Sequence, residues 1–269
     1  MLMKKFGRHP TPHTDQQLAG IAYACYHPRL ADWSAPPLTP GKWRELDPDL
    51  AATTLASASV AQPVDLILRE SFAQKISADR VRMTVLPCWP EAALIEVQGH
   101  DQHNGPGIAG MLVSAADIWL LDGTSAPIHN ASRSMRLLLD TSEQRLSYLH
   151  LFMNWVRGES GRFRPLEDVS SLAARLTDAS AAEKWASLLT PLAEVAVDPP
   201  LSGAFQFEGA ILYADVLFAV TLRLYANGAV KMIKDQPIAS DLPVKRERTV
   251  GMLLVELNAK PGELTDNEF

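Results

Sequence analysis

A carboxylate, two hydroxyls and an imidazole stand within eight residues in Asp122-Gly-Thr-Ser-Ala-Pro-Ile-His129. Hydrolysis by a serine needs a hydroxyl, a base to take its proton and a third group to orient the base. Ser125, His129 and Asp122 supply those three types. They follow the apolar run Gly110 to Leu121, which reads as one strand or as two pieces broken near Ala115-Ala116. Exposed turns at strand ends are common places for sites. Triad members, however, ordinarily converge from separate parts of a chain, and no G-x-S-x-G elbow is present. The plainer reading is an Asx or Ser/Thr turn whose side chains bond to their own backbone.

Asp122-Gly-Thr124 is similar to the end of the Asp-x-Asp-Gly-Thr motif of haloacid dehalogenase phosphatases. The nucleophile position of that motif is Leu120 here. Aspartic proteases carry Asp-Thr/Ser-Gly, the reverse order, so neither family is indicated.

A second set of candidates lies on and after the run from Leu146 to Val156. His150 and Asn154 are one helical turn apart, with Arg157 next on that face. This polar stripe is either an exposed seam or the wall of a cleft opposite His129. Arg157, Arg162 and Arg164 then surround a glycine-rich turn. Guanidinium forks suit phosphate. Cations at a helix C-terminus also complement its dipole, and anions prefer the other end. His150, Arg157 and Arg162 are therefore carried as ligand-binding candidates.

Two other patterns are formal matches. His100-Asp-Gln-His103 pairs two imidazoles, but a zinc site needs further ligands, and His27 or His129 would have to arrive from elsewhere. Gly105-Pro-Gly107-Ile-Ala-Gly110 matches G-x-G-x-x-G. A dinucleotide site needs those glycines directly after a strand and opening a helix. Here a polar insertion precedes them, so neither a metal nor a cofactor is expected.

The elements that would position these residues read as α+β. Helices surround a buried central helix, and an antiparallel β-meander closes the chain. Residues 1–17 read as a flexible arm and 18–198 as a mixed α/β region. Residues 201–258 read as a meander region, set off by Pro199-Pro200 or packed on the rest. Helices are expected over 47–60 and 63–76, and strands over 81–85 and 93–98, with Arg82 and Thr84 on an exposed face. A polar loop is expected over 99–110. Asp140 and Glu143 form a capping box for a helix running to Arg157, with Gly158 as its C-cap. That helix is apolar on most faces, so it should be buried on most faces. Helices over 165–177 and 180–192 follow. Strands are expected across 203–234, turning at Asn227-Gly228, and another over 250–257.

The 269 residues are 47% hydrophobic and 21% charged, an ordinary globular balance that argues against disorder. A net charge of −6 argues against sequence-independent nucleic-acid binding. Cys25 and Cys88 read as reduced thiols, and neither a secretory leader nor a membrane span is visible. A soluble cytoplasmic protein of bacterial style follows. Its expected role is non-catalytic binding or protein interaction, through a protein partner or self-association. The alternative is a hydrolase-type enzyme using Asp122, Ser125 and His129.

Overall fold

The computed structural model describes residues 37–46, 78–101, 105–198, 201–250 and 253–257. The arm 1–17, the helices expected over 47–60 and 63–76, Cys25, His103 and Pro199-Pro200 lie outside them.

β2 (Ala78–Leu86), β3 (Trp89–Asp101) and β4 (Gly105–Ser114) form an antiparallel meander. β1 (Arg44–Leu46) pairs with β2 at one edge. β14 (Leu253–Leu257) pairs with β4 on the other side and carries β13 (Arg246–Val250). β5 (Ile118–Leu120) folds back on β4 after a turn in which Ser114 Oγ accepts from the amides of Ala116 and Asp117.

A second antiparallel sheet is built on β10 (Ala204–Tyr213), β11 (Val216–Tyr225) and β12 (Val230–Ala239). The short β8 (Arg164–Pro165) and β9 (Ala193–Val195) both pair with β10. At the β11–β12 turn only Gly228 has positive φ (+82°). Gly228 N–H donates to Tyr225 O and Tyr225 N–H to Ala229 O, so the connection is a three-residue loop with a glycine bulge.

Between the sheets lie α1 (Ala126–Ser134) and α2 (Ser142–Trp155). One apolar cluster joins Leu94 and Leu112 of the first sheet, Ile128 of α1, Leu149 and Leu151 of α2, and Phe207, Ile211 and Leu222 of the second sheet. The C-terminal part of α2 is buried on most faces: Tyr148, Leu149, Leu151, Met153 and Trp155 are buried, and so are His150 and Asn154. Tyr148 Oη donates to Gly228 O at 2.7 Å, tying the helix to the second sheet. The far face of that sheet, with Ala210, Leu212 and Leu217, packs on Leu172 of α3 (Val169–Ala173) and Trp185 of a 3₁₀ helix (Ala179–Leu188). Side-chain alternation along β10 and β11 thus serves two cores.

These facts overturn the α+β class built around helices. Among the described residues, strands take up far more of the chain than helices do. Two segments account for the difference. The expected loop 99–110 is strand: Gly99 pairs with Gly107 and Asp101 with Gly105. The helices expected over 165–177 and 180–192 shrink to the five residues of α3 and to a 3₁₀ segment capped by Asp178, whose carboxylate accepts from Ser180 N–H. Leu166, Leu172 and Leu176 fit a helix period, yet only Leu172 lies in the helix; the other two reach the same core from the segments on either side of it.

The cap of α2 is one residue later than the sequence suggests. Thr141 Oγ1 accepts from Gln144 N–H at 3.2 Å, and Gln144 Oε1 accepts from Thr141 N–H at 3.0 Å. Asp140-Thr-Ser-Glu-Gln144 offers two overlapping boxes, and the second is used. The helix ends at Trp155 with Val156 extended, and Gly158 enters a small ribbon instead of capping it. Thr141→Ala is expected to cost about 1 kcal/mol by removing this cap, read by urea denaturation. An equal loss in Asp140→Ala with none in Thr141→Ala would contradict this assignment.

Candidate functional site

The two halves of the candidate chemistry are held by different walls of α2. In the turn before α1, Asp122 Oδ1 accepts from Thr124 N–H at 2.8 Å and from Thr124 Oγ1 at 2.7 Å. This is an Asx turn closed by its own hydroxyl. Ser125 is the N-cap residue of α1 and makes no side-chain cap bond. The bond joining it to His129 is a backbone one, His129 N–H to Ser125 O at 3.0 Å. The His129 ring lies 5.8 Å from Phe152. Burial lowers its pKa, and Arg133 lowers it further. The charge acting on His129 is thus a cation, whereas a serine hydrolase needs a carboxylate there.

Arg157 faces this turn. Its N–H donates to Gly123 O at 2.8 Å, and its side chain lies along Gly123, whose Cβ would stand 3.0 Å from Arg157 Cδ and Nε. Burial and the neighbouring Arg162 lower its pKa, while Glu247 and Asp122 raise it.

Arg162, expected at a solvated turn, is 1% exposed. β6 (Arg157–Gly158) and β7 (Gly161–Arg162) turn it inward. Its fork grips Glu247 of β13, with Nε to Oε2 at 3.0 Å and Nη2 to Oε1, and Nη1 reaches Asn154 O at 3.4 Å. Arg162 therefore holds a strand of the first sheet.

A second buried pair lies on the inner face of the first sheet. Arg82 Nε donates to Glu96 Oε2 at 2.8 Å, across the β2–β3 register. Arg82 and Thr84, expected on the solvent side, are each 3% exposed. Val85 is the exposed one, at 53%. Opposite charges in directly facing strand positions make that inversion tolerable, because a buried charge needs a partner. Burial pushes the Glu96 carboxyl up, against the pull of Arg82. The matched signs of Arg82 and Glu96 were the available signal; Glu247, far off in sequence, offered none.

This pair also fixes a strap. Leu38 N–H donates to Glu96 Oε1 at 3.0 Å, Trp43 Nε1 donates to Thr39 O at 2.8 Å, and the Trp43 ring lies 5.2 Å from Arg82 Cζ. Between the strap 37–43, the His150–Asn154 side of α2, and α3 is a cleft of about 370 Å³. Its polar groups include His150, whose Nε2 stands 3.0 Å from Glu167 Oε1, and Arg175. Asn154 Nδ2 donates to His150 O at 2.9 Å. Thr39 also lines the cleft; it is buried, and its hydroxyl has no hydrogen-bond partner.

Of the six candidates, Asp122, Ser125 and Arg157 share the turn, with His129 turned to Phe152. His150 lines the cleft, and Arg162 lies behind it. Thr39, Glu167 and Arg175 joined the site only through folding. No group of three or more His, Cys, Asp or Glu suited to a metal occurs among the described residues. No helix among them is long and apolar enough to cross a membrane. The chain matches no protein-family model, no curated protein and no solved structure.

Proposed function

We propose that this protein is a non-catalytic binding protein that holds a small molecule in the cleft between strap 37–43, α2 and α3. The observation that carries this reading is the cleft itself, about 370 Å³, walled by the strap, α2 and the α3 segment. Small-ligand sites are concave, mostly apolar and carry a few convergent polar groups. Pro37, Pro40 and Trp43 supply the apolar side, and the His150–Glu167 pair the polar side. Hydrolysis at Asp122, Ser125 and His129 has less support, because the carboxylate bonds to Thr124 and the charge beside the imidazole is Arg133. We also assign the protein to the cytoplasm: Cys88 is a free, buried thiol, pushed up to about 12 by burial.

The test is a ligand-observed NMR screen of the intact chain with small polar and aromatic compounds. Binders are expected, and Ala174→Trp, which fills the cleft from α3, is expected to weaken them at least tenfold, about 1.4 kcal/mol. Binding untouched by Ala174→Trp in a folded chain, or no binder in the screen, would overturn the reading.

A further inference from the structure

Resting on the binding reading above, we propose that the occupant of the cleft is a small organic amine, its ammonium at Glu167 and its apolar body against Trp43, Pro37 and Pro40. The local chain presents the carboxylate. Glu167 immediately precedes Asp168, the cap of α3, and the N–H groups of both residues donate to Ser171 Oγ, at 3.0 and 3.1 Å. The backbone under Glu167 is thus held by the cap, and its side chain lines the cleft, 45% exposed. His150 Nε2 stands 3.0 Å from Oε1 on the α2 side, and the His150 side chain is only 11% exposed. The imidazole therefore backs the carboxylate, and the carboxylate faces the open space. An ionised carboxylate has two oxygens and about four acceptor sites. One imidazole N–H takes one of them, which leaves room for an ammonium and its three donors.

Charge selects the class. An imidazole balances a carboxylate only when it is protonated; neutral, it leaves the negative charge of Glu167 at the cleft wall. Arg175 also lines the cleft, but its charge acts on the buried Glu247 and helps to hold that carboxyl at about 2. The carboxylate is thus the charged group that the cleft turns toward a ligand, and charge-assisted hydrogen bonds are the strong ones. The strap sets the orientation. Trp43 Nε1 donates to Thr39 O at 2.8 Å, so the indole offers the cleft ring surface and no donor. Arg82 Cζ stands 5.2 Å from the same ring, so the attraction of that ring for a cation is already engaged. The ammonium belongs at Glu167 and the apolar body at Trp43. A volume of about 370 Å³ is at the small end of ligand pockets, which keeps that body short.

The experiment is calorimetric titration of the intact chain with phenethylamine, with 2-phenylethanol and with 3-phenylpropionate, at about pH 8, where a primary amine stays charged. The three share one apolar body and differ in the charge at its end. The amine is expected to bind about tenfold more tightly than the alcohol, and the acid more weakly than either. Glu167→Gln, nearly isosteric on a half-exposed side chain, is expected to bring the amine to the level of the alcohol and leave the alcohol unchanged. Equal binding of amine and alcohol, or tighter binding of the acid, would overturn the cation class. A preference for the amine that survives Glu167→Gln would overturn the place given to the ammonium. No binding of the three, alongside a compound from the wider screen that Ala174→Trp weakens, would overturn the amine and leave the binding reading standing. No ligand of any kind would overturn both.

Discussion

Truncating Trp155 to alanine is expected to cost about 3–5 kcal/mol of folding stability, the range for losing a large buried aromatic. Trp155 is 1% exposed and ends α2 against the first sheet. Its ring occupies the space above Gly110 of β4: a Cβ there would fall on Trp155 Cη2 and stand 2.5 Å from Cζ2 and 2.6 Å from Cζ3. Gly110→Ala should therefore cost about 1–3 kcal/mol by overpacking. In the Trp155→Ala background the same change meets a void. There it should be neutral or stabilise by about 0.4–1 kcal/mol, because alanine restricts the unfolded chain more than glycine does. The double-mutant cycle thus carries a large coupling of predictable sign. Guanidinium denaturation of the four proteins measures it, and additive losses would show that ring and glycine do not share one space.

That glycine explains where the sequence misled. Gly105, Gly107 and Gly110 suggest a loop when read locally, because glycine is the usual residue of turns. In the fold they lie along a paired strand, and Gly110 is there so that an indole can approach the sheet. Nothing near residue 110 announces a ring 45 residues later. The period of α2 was legible, because near-complete apolarity over a helical length leaves few alternatives. So was a chain reversal at Asn227-Gly228, although Asn227 does not need positive φ. The true helix lengths were not legible: the leucines at 166, 172 and 176 satisfy a helix period, yet only Leu172 lies in the five-residue helix and the other two reach the same core from the segments that flank it. At the site, His150 stands out in the sequence as a polar interruption on an apolar helix, and in the fold it lines a cleft. Its partner Glu167 and the strap residue Thr39 carried no such contrast with their neighbours. Arg162, a charge beside a glycine turn, reads as solvated in the sequence and is buried in the fold because its carboxylate comes from 85 residues away.

That distant pair yields the other large expected effect. Glu247→Gln should destabilise the fold by about 3–5 kcal/mol at neutral pH, because it leaves the Arg162 guanidinium buried opposite a neutral amide. Arg162 is 1% exposed and the Glu247 side chain 10%, so solvent screens the interaction little. Burial alone would raise the Glu247 carboxyl. The ion pair and hydrogen bonds from Arg162, helped by Arg164 and Arg175, outweigh that and hold it at about 2, against an ordinary 4.5. A carboxyl depressed in the folded state stabilises fully above its unfolded value and loses that contribution as pH falls toward the folded one. At 1.36 kcal/mol per pKa unit the contribution is about 3 kcal/mol at pH 7, and more than half should be gone near pH 3. Glu96 works in the opposite sense: burial raises its carboxyl, so acid favours the folded form at that position. Wild-type stability alone therefore mixes two signs. The difference between wild type and Glu247→Gln isolates the strand-holding pair. That gap should stay level from about pH 7 to pH 5 and close below it, followed by urea denaturation at each pH. A gap that persists unchanged to about pH 3 would mean that Glu247 acts through its shape and not through its charge.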